Sequence, residues 1–142
     1  MMAEDMTGCR VLVVEDEMLI ATEIEDTLER LGCAIVGPVS TLETALRLAR
    51  EVALDAAILD VTIRGGKSYP VAEQLLARQI PFVLASGYGD WVLPDMLRHQ
   101  LRLTKPFTAA ELEMQVRFLC GEAAKRRRAI PAERTHVADH HN

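Results

Sequence analysis

The chain has 142 residues, 49% of them apolar and 26% charged, which suits one domain burying roughly two-thirds of its unfolded surface. Only six residues are aromatic (Tyr69, Phe82, Tyr88, Trp91, Phe107 and Phe118), too few for a base-stacking platform. The formal charge is −5, and residues 125–142 hold five basic against two acidic side chains, so the remainder carries −8; a basic nucleic-acid-binding body is excluded.

Residues 11–14 (Val-Leu-Val-Val) form a β-branched run followed at once by charge, the signature of a strand buried on both faces. From Glu17 to Leu31, apolar residues at Ile20, Ile24, Leu28 and Leu31 recur at helical spacing, and Gly32 stands where a left-handed terminator belongs. Ala34–Val36 read as a second strand and Gly37-Pro38 as a turn. Ser40 and Glu43 then have capping-box spacing ahead of a second helix carrying Leu42, Leu46, Ala49 and Val52. A third strand at Ala56–Leu59, a Gly65-Gly66 loop and a helix with Val71, Ala72, Leu75 and Leu76 repeat the unit.

Pro81–Ala85 read as the fourth strand. The following helix is reduced by Pro94 to a short turn near Pro94–Arg98, so residues 87–98 are expected to be mobile. Leu101–Leu103 supply a fifth strand, and Thr108 with Glu111 a capping box before a helix carrying Leu112, Val116, Leu119 and Ala123. Five strands alternating with five helices require an α/β fold. The expected form is a doubly wound, five-stranded parallel sheet of flavodoxin-like (βα)5 type, strand order 2-1-3-4-5. Residues 9–121 form the expected domain, with a flexible amino terminus at 1–8 and a basic, polar flexible tail at 122–142.

No apolar run approaches the roughly twenty residues that cross a bilayer, and Glu4 and Asp5 stand where a secretion signal carries basic side chains. A cytoplasmic protein without membrane insertion is expected. Cys9, Cys33 and Cys120 are odd in number and lack CxxC spacing, which predicts three buried or incidental thiols rather than a disulfide or a zinc site. Leu97, Met114 and Phe118 are expected on one surface, as a partner site or a modest apolar patch.

In such sheets, function sits beyond the carboxyl ends of the strands. There the sequence places Glu15 and Asp16 after the first strand, Asp60 after the third, Ser86 after the fourth and Lys105 after the fifth. Three carboxylates on one rim must take up protons or recruit a cation, because two charges about 4 Å apart cost about 4 kcal/mol at an effective dielectric near 20. Mg²⁺ fits Asp16, Asp60 and a backbone carbonyl, with Mn²⁺ or Ca²⁺ as substitutes. Lys105 suits a phosphoryl oxygen or Asp60 itself, Ser86 adds a hydroxyl donor, and Asp60 is the natural nucleophile for phosphoryl transfer.

Four segments in this order, Val-Leu-Val-Val-Glu15-Asp16-Glu17, Ile58-Leu59-Asp60, Leu84-Ala85-Ser86-Gly87 and Lys105-Pro106-Phe107, resemble the receiver domain of bacterial two-component response regulators. The resemblance implies that Asp60 accepts a phosphoryl group and that Glu15 and Asp16 form the acidic pair. It also implies that Mg²⁺ is held by Asp16, Asp60 and the Thr62 carbonyl, that Ser86 and Lys105 contact the phosphoryl group, and that the Lys105–Pro106 bond is cis. The fourth strand is similar to that of a single-domain subgroup ending Phe-Ala-Thr-Gly-Tyr, whose members resemble partners of HWE/HisKA2-type sensor histidine kinases.

The expected protein is thus a stand-alone receiver rather than an enzyme, phosphorylated by a histidine kinase or a histidine phosphotransfer protein, autodephosphorylating, and acting on a downstream protein. A small aspartyl-phosphate phosphatase and an unphosphorylated binding module are the alternatives. Thr62 and Tyr88 flank the phosphate and are expected to set its lifetime. Arg102 replaces the aromatic residue that receivers usually carry three positions before the lysine, so the response is expected to pass through residues 87–98, including Tyr88 and Trp91.

Overall fold

The computed structural model describes residues 6–87 and 92–129. Strand β1 (Arg10–Val14) leads into helix α1 (Met18–Leu31), β2 (Ala34–Val39) into α2 (Leu42–Glu51), and β3 (Ala56–Asp60) into α3 (Tyr69–Ala77). Strands β4 (Phe82–Ser86) and β5 (Leu101–Thr104) follow, and helix α4 (Ala109–Ala129) ends the described chain. The five strands form one parallel sheet in the order β2-β1-β3-β4-β5, the expected flavodoxin-like arrangement.

The side-chain period of two along each strand builds two cores. Leu12, Val14, Ala57, Leu59, Phe82 and Leu84 face a layer that includes Ala45 and Ala49 of α2 and Val71 and Leu75 of α3. Val11, Val13, Ala56, Ile58, Val83, Ala85 and Leu103 face Ile24 and Leu28 of α1 and Leu112, Val116 and Leu119 of α4. Strand β3 lies at the centre of the sheet and is buried along its whole length. The predicted caps of α1 and α4 form. Gly32, at φ 86°, closes α1, while Thr108 and Glu111 exchange bonds of 2.8 and 3.0 Å in a reciprocal box.

Several expectations are corrected. Strand β2 runs through Gly37-Pro38 instead of turning there: the register with β1 slips between Leu12 and Val14, and the cis Gly37–Pro38 bond lies within this irregular stretch. Gly37 adopts φ +107°, and a Cβ there would come within 2.8 Å of the Val13 carbonyl, so the close approach of β2 to β1 requires glycine. The cap of α2 is Thr41 rather than Ser40, its hydroxyl accepting from the Thr44 N–H. The Gly65-Gly66 loop is the tip of a small antiparallel ribbon pairing Thr62 with Lys67 and Ile63 with Gly66.

Four α-helices occur among the described residues where five were expected, and only a 3-10 turn at Asp95–Leu97 lies between β4 and β5. Leu97 is fully buried, so only Met114 and Phe118 of the expected surface trio are exposed. Helix α4 continues through the basic run to Ala129, beyond the expected boundary near residue 122, and Arg127 forms an ion pair with Asp55. At the other end, Met6 is buried and the Gly8 N–H donates to the Gly32 carbonyl, so residues 6–8 are tied to the fold.

Cys9 and Cys120 form a disulfide and only Cys33 is free, against the expectation of three unpaired thiols. With a sequence separation of 111 between the paired cysteines, no local spacing announces the bond. No helix among the described residues is long and apolar enough to cross a membrane.

Candidate functional site

Three of the strands that build the α1/α4 face also aim the polar rim. Glu15 lies two residues beyond Val13, Asp60 two beyond Ile58 and Lys105 two beyond Leu103, and each of these apolar residues points into that core. The alternation that buries the hydrophobic residues therefore carries the next side chains to one side of the sheet edge. Lys105 Nζ lies 3.0 Å from Asp60 Oδ2, 3.0 Å from Glu15 Oε1 and 3.2 Å from Glu17 Oε1. The Lys105–Pro106 bond is cis, and the Lys105 N–H donates to the Ser86 carbonyl at 2.8 Å, fixing the lysine against the end of β4.

The side chains of Glu15 and Asp60 are 1% and 6% exposed, and that of Lys105 only 14%. Burial raises the Glu15 carboxyl to about 7, assisted by the Asp60 charge and opposed by the Glu17 N–H and by Lys105. Burial likewise raises Asp60, against the hydrogen bond from Lys105 and the Lys105 charge. For Lys105, burial acts downward, but hydrogen bonds to Glu15 and Asp60 outweigh it and hold the ammonium above its ordinary value. The net result is a rim short of positive charge, in which one lysine is shared among three carboxylates.

Glu15, Asp16 and Asp60 each present a carboxylate oxygen within 4.8 Å of the others. Glu15 Oε1 is buried and, although close to Lys105 Nζ, has no aligned hydrogen bond. An under-satisfied buried oxygen in a cluster of hard oxygen donors fits a small divalent cation.

The backbone after Asp60 is fixed from two sides. The Thr62 N–H donates to Asp60 Oδ1 at 3.3 Å. The Ser68 hydroxyl, itself buried, donates to the carbonyls of Asp60 and Val61. Ser68 opens α3 but makes no side-chain cap, turning back to the strand end instead. The exposed Thr62 hydroxyl accepts from Lys67 Nζ at 2.8 Å.

The structure thus brings together Glu15, Asp16, Asp60 and Lys105, with Thr62 beside Asp60. Ser86 is buried at the end of β4, in register with Thr104. Arg102 is exposed on β5, where its guanidinium donates to the Arg98 carbonyl at 3.1 Å. Tyr88 and Trp91 lie outside the described residues.

Glu17, though it stands in the first of the four motifs, and Ser68 have no expected role from the sequence. Glu17 was legible in principle, as the next carboxylate at alternate spacing from Glu15. Ser68 carried only the ordinary signal of a helix start.

No protein-family model matches the chain. Among solved structures, SdrG from Sphingomonas melonis Fr1 is 44% identical with a TM-score of 0.68, over 85% of this chain and 98% of that one. The receiver domain of a sensor histidine kinase from Pseudomonas aeruginosa PAO1, solved with magnesium coordinated in its active-site cleft, is 26% identical with a TM-score of 0.67, over 81% of this chain and 99% of that one. The phyllosphere-induced regulator PhyR of Methylorubrum extorquens is 28% identical over 134 residues, which is 90% of this chain and 50% of PhyR. The chain spans about half the length of the curated relatives it matches.

The 44% identity with SdrG, over a fold of five parallel strands with a lysine-paired aspartate at the end of the central one, places the chain among the signalling domains of the two-component class. The chain belongs to the response regulator receiver domains.

Proposed function

We propose that the chain is a phosphoacceptor, taking a phosphoryl group onto Asp60 from a phosphohistidine of a sensor kinase or phosphotransfer protein. The observation that carries this reading is the Lys105 ammonium, 3.0 Å from Asp60 Oδ2, which occupies the position of a charge that a new phosphoryl oxygen can claim. In the transfer, the P–N bond to the donor imidazole breaks as a P–O bond to Asp60 forms, and the imidazole nitrogen keeps the electron pair and takes up a proton. Lys105 then exchanges its contact with Asp60 for one with the phosphoryl group.

Ser86, buried at the end of the neighbouring strand, is the proposed hydroxyl partner. Movement of Ser86 and Lys105 towards the phosphoryl group is the proposed origin of the surface change read by a downstream protein. Attack of water on phosphorus, with cleavage of the P–O bond to Asp60, returns the resting state. Thr62, next but one to Asp60, is the proposed regulator of access of that water; Tyr88 and Arg102 are the further candidate modulators.

Glu15, Asp16, Asp60 and the Thr62 carbonyl are the proposed holders of Mg²⁺, with Mn²⁺ or Ca²⁺ as substitutes; when bound, the ion supplies the positive charge that lets dianionic phosphate approach the carboxylates. A cytoplasmic receiver paired with an HWE/HisKA2-type kinase, in the subgroup whose fourth strand ends Phe-Ala-Thr-Gly-Tyr, is the further reading, supported by the similar Leu84-Ala85-Ser86-Gly87 at the end of β4. Autodephosphorylation, rather than turnover of free metabolites, is the proposed fate of the phosphoryl group.

The test is incubation with a small phosphodonor, with and without Mg²⁺, followed by intact mass measurement. A single Mg²⁺-dependent phosphoryl adduct is expected in the native protein and none in Asp60→Asn. An adduct of equal yield in Asp60→Asn would sink the assignment.

A further inference from the structure

At the opposite end of the sheet from the acidic rim, three cysteines meet from three elements. Cys9 immediately precedes β1, Cys33 lies between the Gly32 cap of α1 and β2, and Cys120 lies in α4. Their sulfur atoms lie within 4.8 Å of one another. Cys9 and Cys120 are joined and are 4% and 5% exposed, whereas the free Cys33 is partly buried. The backbone holds the free thiol in place, because the Cys33 N–H donates to the Leu28 carbonyl at 3.0 Å and the next residue, Ala34, donates to the Cys9 carbonyl at 2.8 Å.

We infer that Cys9, Cys33 and Cys120 form a thiol–disulfide exchange site, in which Cys33 relays reducing equivalents from small thiols in solution to the buried Cys9–Cys120 bond. Both paired residues are buried, while Cys33 is the least buried of the three and its sulfur lies within 4.8 Å of both of theirs, so it offers an approaching small thiol the more accessible route to the bond.

In the first step the Cys33 thiolate attacks one sulfur of the pair. A Cys33-linked disulfide forms, the Cys9–Cys120 bond breaks, and the departing thiolate takes up the proton that Cys33 released. This rearrangement is redox-neutral. An external thiolate of the glutathione class then attacks the Cys33 sulfur, the least buried of the three residues, giving a mixed disulfide and a second protein thiol. A second external thiol attacks the mixed disulfide, frees Cys33 and leaves as the small-molecule disulfide. Overall, the protein disulfide and two small thiols become a protein dithiol and one small disulfide, and the reverse sequence re-forms the bond.

The surroundings disfavour metal binding, and they make the exchange faster as the pH rises and more of Cys33 becomes thiolate. The cysteines pack with Met6, Leu28, Val116 and Leu119, and burial pushes the Cys33 thiol upward. A neutral thiol beside a neutral disulfide is at home there, whereas three adjacent thiolates around a cation are not. The site lies at the opposite end of the parallel sheet from Asp60 and does not depend on the phosphoacceptor reading.

The test follows reduction of the disulfide in the folded, full-length protein by reduced glutathione, with samples quenched in acid, alkylated and mapped by peptide mass. The native chain is expected to be reduced on the order of tenfold faster than Cys33→Ser, with Cys9–Cys33 or Cys33–Cys120 linkages trapped on the way. Cys33→Ala is run beside it, and both variants are checked for native circular dichroism. Trapping of Cys33-linked disulfides in the native chain needs no variant and supports the relay by itself. Equal reduction rates in the native chain and both variants, with no Cys33-linked disulfide at any time, would overturn it.

Discussion

Replacing Glu15 by glutamine should stabilise the metal-free protein at neutral and alkaline pH. The carboxyl is raised from its ordinary value of 4.5 to about 7, burial being the main cause. At about 1.4 kcal/mol per pH unit, the fold prefers the uncharged form by about 3 kcal/mol. Because the folded value lies above the unfolded one, this stabilisation is complete below about pH 4.5, declines as the pH rises, and is gone above about pH 7. Native protein in a chelator is therefore expected to be less stable near pH 8 than near pH 5, over the range where it remains folded.

Glu15→Gln keeps the shape and can still accept from the Glu17 N–H, which donates to Glu15 Oε2 at 3.0 Å in the native protein. It removes both the buried charge and its repulsion with Asp60. Urea denaturation in a chelator should show the variant about 1–3 kcal/mol more stable than native near pH 8 and nearly equal near pH 5. A residual slope remains from Asp60, which is raised in the same direction. Magnesium should narrow the gap, because the cation offsets the charge only in the native protein. A variant that is less stable than native near pH 8, or equally displaced at both pH values, would refute the electrostatic account.

Lys105→Ala leaves Glu15 and Asp60 buried without their shared cation, so a loss of about 3 kcal/mol is expected near pH 8 without metal and a smaller loss near pH 5, measured by the same denaturation series. On the proposed function, this variant should still gain a phosphoryl group while the phosphorylation-linked shifts in its amide spectra vanish. Ser68→Ala removes the hydroxyl that donates to the Asp60 and Val61 carbonyls. It should cost about 1–2 kcal/mol and slow phosphoryl uptake, both readable from urea melts and the mass assay. Thr108→Ala opens the reciprocal cap of α4 and should cost about 1 kcal/mol in thermal melts while leaving phosphoryl uptake unchanged.

Much of this architecture is legible in the sequence because it rests on local patterns. The apolar runs of β1, β3 and β4, the helical spacing in α1 and the Gly32 stop each express a backbone preference that the packed fold keeps. The rim was legible for the same reason: Glu15, Asp60 and Lys105 terminate recognisable strands, and parallel strands bring like ends together. What escaped depends on distant partners. Gly37-Pro38 has turn chemistry, yet it is held inside β2 by the close passage of Val13. The basic run at 125–128 resembles a solvated tail, but Lys and Arg are good helix formers, and Arg127 finds Asp55. Thr41 displaced Ser40 as a cap by one residue, a distinction that hydroxyl chemistry alone does not make. The Cys9–Cys120 bond has no local mark at all.

The alternation of side chains along β1, β3 and β5 has a further implication for how such a domain tolerates length changes. The chemistry at the rim is indexed to the interior: deleting a single residue from any of these strands, upstream of its terminal polar group, rotates that group to the opposite layer unless the core rotates with it. A shift that the interior refuses is thereby also refused at the rim, and one that the interior absorbs by a local bulge, as β2 does, leaves the rim untouched. Insertions are correspondingly easiest at the opposite ends of the strands and in the ribbon beyond Asp60, where the count of residues does not determine which way a carboxylate faces.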